Sequence, residues 1–357
     1  VLTIKSPNIY LQQPGLAARV GEYIAPHAST IAILTTPHAW QAVNPQLEAS
    51  LQAHHINYQL SFFEGECSDA AISLHQARVQ QFGAELVLGI GGGRVLDCAK
   101  AVANALDGVA AVTVPTIAAT CAAWSPMSII YHPQGGQDRR LMLNHMPLMV
   151  LVDSEVIAQS STRYLKAGIV DALAKWYEYV LYQQKDSDSL ALSLKVQAAK
   201  MALDTFEQYG AAAVRDNQRQ QVTPALIKVI DANIALAGLA NSMSGKDPVP
   251  GVAHVIHNRL TYQPEVHALL HGEIVGFCLL VQSLLANGDG QPDQKLLSLL
   301  RQYDAPLTLA PLAGDRAAAF ATIAREAKFS ADIAARLPFS LAPAAIEQAL
   351  LATDRLF

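Results

Sequence analysis

The sequence predicts an α/β domain built on a parallel sheet, followed by an all-helical domain, and three observations carry that prediction. Short apolar runs, often β-branched, alternate with helical stretches up to about residue 160. Beyond that point the strand signal stops and apolar residues recur at three- and four-residue spacing. Within the first half, "ELVLGIGGGRVLDCAK" passes from a buried strand through a triple glycine straight into a helix. The expected domains are residues 1–160 and 161–357.

The strands of the first half are "STIAILTT" (29–36), "NYQLSFF" (57–63), "ELVLGIGGG" (85–93), "AAVTVPT" (110–116) and "LMVLVD" (148–153), each ended by Gly, Pro or polar residues. Helical stretches such as "SDAAISLHQARVQQFG" (68–83) and "VLDCAKAVANAL" (95–106) separate them. Strand, helix, strand in this rhythm means a parallel sheet with helices on both faces. The second half carries helical periodicity in "STRYLKAGIVDALAKWYEYVLYQQ" (161–184), "DSLALSLKVQAAKMALDTFEQYG" (188–210), "TPALIKVIDANIALAGLANSM" (223–243), "EIVGFCLLVQSLLAN" (273–287) and "LAPAAIEQALLATDRL" (341–356). A crevice between two such domains favours a small-molecule site.

Composition narrows the function. The chain of 357 residues is 51% apolar and 15% charged, without low-complexity tracts, which is the profile of a packed globular protein. A net charge of −5 and the lack of Lys/Arg runs argue against nucleic acid and anionic membrane as partners. The longest apolar runs, such as "GFCLLVQSLLA", read as too short to span a bilayer. No secretory-leader pattern opens the sequence, and Cys67, Cys98, Cys121 and Cys278 have no metal or redox spacing; both suit a cytoplasmic protein.

The triple glycine is the first chemical signal. Gly91, Gly92 and Gly93 let backbone approach a ligand, and the helix start behind them offers free N–H groups to a phosphate. The spacing is not the G-x-G-x-x-G fingerprint of dinucleotide folds. Asp97 and Lys100 are expected in the first turns of that helix, facing the ligand.

The second signal is a set of histidines near a buried acid. In "GIVDALAKWYE" (168–178) helical spacing buries Asp171 among apolar neighbours and puts Lys175 one turn later on the same face. "GVAHVIHNRLTYQPEVHALLHGEIVGF" (251–277) holds four histidines; His254 and His257 share one helical face and His271 opens the next helix. A divalent cation would remove the cost of burying an unpaired carboxylate. Two imidazoles and one carboxylate leave an open coordination position, as in catalytic zinc sites, and ferrous iron accepts the same donors.

Taken together, "GIGGGRVLDCAK", "VPTIAATCAAWSPMSIIY", "GIVDALAKWYE", "AHVIHN" and "HGEIVGF" resemble, in order and spacing, the glycerol dehydrogenase branch of the iron-containing alcohol dehydrogenases. The resemblance implies a Rossmann-like nucleotide-binding domain, a helical domain and the overall architecture shared with dehydroquinate synthase. It implies a zinc or iron ion held by Asp171, His254 and His271, and a pyrophosphate cradled by Gly92, Gly93, Arg94, Val95 and Leu96 beside Gly91 and Asp97. Thr116, Ser125, Met127 and Tyr131 would line the nicotinamide of NAD or NADP, and His257 would stand near the reacting hydroxyl to relay a proton. A homo-oligomer is the corresponding assembly.

Departures from that branch bear on the substrate. Cys121 stands where glycerol dehydrogenases carry Asp, Lys175 where they carry a small hydroxyl residue, and Arg259 where they carry Gly. Losing a carboxylate and gaining an ammonium favours an anionic substrate over a neutral polyol. "ATCAAW" with "LAKWYE" is similar to the hydroxycarboxylate dehydrogenase subgroup, which implies a 2-oxo acid as substrate, with Cys121, Lys175 and His257 around it. A polyol dehydrogenase with an altered pocket is the alternative. A lyase of the dehydroquinate-synthase type is a remote one, because few basic residues accompany the motifs. The strand "IAILTT" ends without an acid to bond a ribose 2′-OH, so NADPH is expected to serve at least as well as NADH.

Overall fold

The computed structural model describes residues 1–357 except Ser187, Asp289, Pro311 and Ala313. The first half contains strands β1 (Ile9–Gln13), β2 (Thr30–Thr35), β3 (Asn57–Phe62), β4 (Leu86–Gly91) and β5 (Ala110–Pro115), then β6 (Met127–Tyr131), β7 (Gln137–Met142) and β8 (Met149–Asp153). Six of them form one sheet in the order β1-β8-β5-β4-β2-β3, and every pairing in it is parallel. The β4 and β8 runs are buried at every position, as strands covered on both faces must be. Alternation along β2 sends Ile31 and Ile33 to one face and Ala32 and Leu34 to the other.

The two faces have different cores. On one, Leu16, Val20, Ile24, Leu47 and Leu51 pack on Ile31, Leu86 and Val112. On the other lie α1 (Asp69–Phe82), capped by Ser68 and ended by Gly83 at φ 70°, and α2 (Gly93–Asn104). This second core continues unbroken into the helical half through Ile169, Leu173, Phe277 and Leu350. Strands are added on one side of β2 up to β3 and on its other side from β4 onward, so the Gly91 turn at the carboxyl end of β4 lies at the sheet's topological switch point, where such folds bind ligands.

The helical half holds α3 (Thr162–Gln183), α4 (Leu190–Thr205), α5 (Pro224–Ser242), α6 (Val252–Leu260), α7 (His271–Asn287) and, near the end, α8 (Pro343–Leu356). α3 is its axis and packs against α4 and α7. Contact is at backbone distance: a Cβ on Gly272 would lie 1.9 Å from the Ala167 carbonyl oxygen, and one on Gly168 would lie 1.9 Å from that of Ala118.

Three expectations need correction. β1 carries two glutamines and is half exposed at the sheet edge, so its run lacks the apolar density that marks the inner strands. The β6–β7 hairpin turns through Gly135 and Gly136 at φ 98° and 88°; the Gly-Gly pair is a turn signal, but the polar, largely exposed run "QDRRLM" of β7 lacks the apolar density of a strand. Helix α5 does reach the length and apolarity of a membrane span, at 19 residues and a mean hydropathy of 1.2. Over half of it (56%) is buried inside the protein, as befits a core helix.

Candidate metal centre

Among the described residues, Asp171, His254 and His271 form a group that could hold a metal ion, with one donor atom of each within 4.8 Å of the others. Three helices supply them. Asp171 sits mid-way along α3, His254 in the first turn of α6, and His271 opens α7. The His271 and His254 Nε2 atoms lie 3.2 and 3.4 Å from Asp171 Oδ1. The Asp171 side chain is 4% exposed, whereas those of His254 and His271 are 28% and 32% exposed, so the cluster is closed below and open on the imidazole side.

The α7 start is fixed from outside the cluster. Arg163, in the first turn of α3, holds Glu273 through two short bonds (2.6 and 2.7 Å), and Glu273 accepts the Leu270 N–H at 2.7 Å. The loop before His271 is clasped by the β6–β7 hairpin, where the Gln137 N–H donates to Thr261 Oγ1 and the Tyr262 hydroxyl to the Gln137 carbonyl, both at 2.8 Å.

Each imidazole has a buried partner on its other nitrogen. Glu178, two turns beyond Asp171 on α3, places Oε2 2.8 Å from His254 Nδ1 and accepts the His254 backbone N–H at 2.9 Å. Burial opposes a charge on His254, but Glu178 and Asp171 outweigh it and raise the ring to about 9, so without a cation the site would hold a proton. His271 Nδ1 lies 3.0 Å from His257 Nε2, and His257 Nδ1 lies 3.1 Å from Asn258 Oδ1. One tautomer pattern satisfies that chain and frees the His271 Nε2 lone pair: His271 donates to His257, and His257 to Asn258. The resemblance implied that His257 faces the reacting hydroxyl. The structure instead buries it behind His271 with both ring nitrogens engaged, and burial, with the neighbouring His271 and His254, pushes its pKa well down.

Lys175 is buried, and its hydrogen bonds among the described residues stay within its own helix, with Nζ 3.4 Å from both the Asp171 carbonyl and Oδ2. Burial opposes its charge, yet Asp171 raises its pKa. Asp171 likewise would be raised by burial, but Lys175 and the histidines hold it well below the usual carboxylate range. The Cys121 thiol is buried, accepts from Asn241 Nδ2 at 3.5 Å and feels the Lys175 charge; burial pushes its pKa up.

The glycine turn lies at the other end of the site. Gly91 has φ 146°, where a Cβ would also meet Val95 Cγ1 at 2.5 Å. Gly92 caps α2 without any side-chain acceptor, so the N–H groups of Gly93, Arg94 and Val95 have no cap, and Leu96 makes the first helical bond back to Gly92. The Thr116 N–H closes the turn on the Gly91 carbonyl at 3.1 Å. Arg94 leans out towards Glu66 at 3.2 Å.

Asp97 and Lys100 are bonded to each other and to the segment that follows β5. They pair at 3.1 Å, Asp97 Oδ2 accepts the Ile129 N–H at 3.1 Å, and Lys100 donates to the carbonyls of Ser125 (3.1 Å) and Met127 (2.7 Å). They anchor the Ser125–Tyr131 segment on α2, and burial raises the Asp97 pKa. Tyr131 is tied in by its N–H to the Cys67 carbonyl at 2.8 Å, and burial raises its phenol. The contact of Glu178 with His254 is not read from the sequence, although its seven-residue spacing from Asp171 is visible in "DALAKWYE".

Comparison with known proteins bears on this arrangement. Residues 7–154 match the protein family described as "Iron-containing alcohol dehydrogenase". A glycerol dehydrogenase of Escherichia coli O6:H1 is 33% identical, covering 99% of this chain and 96% of its own. Hydroxycarboxylate dehydrogenase A of Escherichia coli strain K12 is 38% identical, covering 71% of this chain and 69% of its own. The crystal structure of a probable glycerol dehydrogenase from Sinorhizobium meliloti 1021 is similar with a TM-score of 0.86 at 28% identity, covering 99% of this chain and 98% of that one.

Proposed function

Because this chain belongs to the iron-containing alcohol dehydrogenase family, we propose that it is a metal-dependent, NAD(P)-linked oxidoreductase that interconverts a 2-oxo and a 2-hydroxy carboxylate. The donor set fits a divalent ion: one carboxylate and two imidazoles, each imidazole with a buried partner on the nitrogen facing away from Asp171. A zinc or iron ion held by Asp171, His254 and His271 would supply Lewis-acid polarisation of the carbonyl, and the nicotinamide the hydride.

The chain's own residues do the rest. Gly92 to Leu96 receive the pyrophosphate at the switch point, where the N–H groups of Gly93, Arg94 and Val95 have no side-chain cap. The Ser125–Tyr131 segment, anchored by Lys100, gives the nicotinamide a fixed wall together with Thr116. Residues 1–160 thus act as the nucleotide-binding unit and 161–357 as the metal- and substrate-binding unit. Lys175 carries the substrate assignment: a buried ammonium 3.4 Å from Asp171, with no shorter hydrogen bond among the described residues, has donors to spare for a substrate carboxylate. Cys121 beside it adds no competing negative charge.

Oxidation of a neutral polyol is the second reading, and the names of the relatives support it better than the first. One experiment separates the two. Zinc-loaded protein is given NADPH with a panel of 2-oxo acids and, in reverse, NADP with glycerol and related diols, and nicotinamide absorbance is followed. A higher kcat/KM for the 2-oxo acids supports the proposal; a higher value for the polyols replaces it with the second reading. The same assay run with NADH tests the cofactor. Thr36, at the end of β2, is occupied in capping the next helix, and no acid stands there to repel a 2′-phosphate. NADPH should therefore serve at least as well as NADH.

A further inference from the structure

Glu178 is 2% exposed, and both its oxygens are committed to His254. A carboxylate can only accept hydrogen bonds, so the proton of the neutral His254 ring must sit on Nδ1, leaving a lone pair on the Nε2 that faces Asp171. We propose that Glu178 is a positioning residue that fixes the His254 tautomer and orientation for metal binding. The proposal rests on the reading of Asp171, His254 and His271 as a metal centre.

A purely structural role competes with it. Gly251 caps α6 without a side chain, and Glu178 supplies the missing acceptor by taking the His254 N–H in the first turn. Position 251 has to be glycine for the carboxylate to fit, since a Cβ there would lie 2.1 Å from Glu178. Glu178→Gln separates the roles. Its amide keeps the shape and one oxygen to accept the backbone N–H, so the cap survives. The NH2 then faces Nδ1 and favours the tautomer with its proton on Nε2, where a ligand needs a lone pair. With the amide flipped, the NH2 would instead oppose the backbone N–H.

The test uses the full chain stripped of metal and titrated with zinc against a chromophoric chelator, alongside thermal unfolding of the metal-free proteins. The expected result is a zinc Kd raised about 10- to 100-fold in Glu178→Gln, with a metal-free Tm close to that of the unsubstituted protein. Glu178→Asp, still acceptor-only, should retain more of the affinity than Glu178→Gln. An unchanged Kd, with or without a lower Tm, overturns the proposal and leaves Glu178 as a helix cap. Nitrogen-15 NMR of the zinc-loaded, unsubstituted protein reads the same point without a variant: a proton on His254 Nδ1 supports it, and one on Nε2 overturns it. Failure of the metal reading itself is seen separately, as an unsubstituted protein that binds zinc no better than Asp171→Asn.

Discussion

At the scale of single residues, the site turns on what Asp171 does with its charge. Asp171 and Lys175 are an i, i+4 pair, but 3.4 Å is long for a charge-assisted bond, and two histidines approach the same carboxylate at 3.2 and 3.4 Å. If the carboxylate serves a cation, the ammonium is left for the substrate. Lys175→Thr should then lower kcat/KM for 2-oxo acids about 10- to 100-fold, the loss of one charge-assisted hydrogen bond of about 1.5–3 kcal/mol. Neutral polyols should be spared, and equal losses for both substrate types would assign Lys175 to the fold. Much of this was legible in the sequence, because helical spacing puts an acid where only a partner makes it tolerable. The partners themselves were harder to read. His257 lies on the same helix as His254, but only the packing of α6 against α7 brings it within hydrogen-bond distance of His271. Glu178 went unread because an acid at the end of an apolar motif looks like a solvated one until α6 covers it.

At the scale of elements, the inner strands and long helices were legible because their residues are buried in a period the chain itself displays. β1 and the β6–β7 hairpin were not: the first is a half-polar edge, and the second is stabilised by what it touches rather than by its own pattern. Asp97 and Lys100 illustrate the limit. Helical spacing put them on one face of α2 but could not say that the face meets a hairpin. That contact yields a prediction. Lys100→Met removes the ammonium that holds the Ser125 and Met127 carbonyls and leaves Asp97 as a buried, unpaired carboxylate. Breaking such a pair costs about 3–5 kcal/mol, so urea unfolding should shift by that order and nicotinamide affinity should fall with it. A shift below about 1 kcal/mol would mean that the hairpin is held by other contacts.

At the scale of the whole molecule, one continuous core joins the sheet to the helical half, so acid sensitivity in either half destabilises both. His75, buried on α1 away from the metal centre, has its pKa lowered to about 4, by burial first and then by Arg78. The unfolded chain takes up its proton near pH 6.5, above the folded value, so stability is full above that pH and is lost as the pH falls towards 4. His75→Gln should narrow the difference in Tm between pH 7 and pH 5; an unchanged difference would show that other groups set it. The central claim concerns function, and it rests on three helices bringing Asp171, His254 and His271 to one point open on one side. The most direct test is nicotinamide-linked turnover of the best substrate from the panel, measured before and after chelation and again after zinc or ferrous iron is returned. The account predicts that turnover is abolished by chelation and restored in part by the ion, and that Asp171→Asn, His254→Ala and His271→Ala each prevent the restoration. Full turnover by metal-free protein would contradict it.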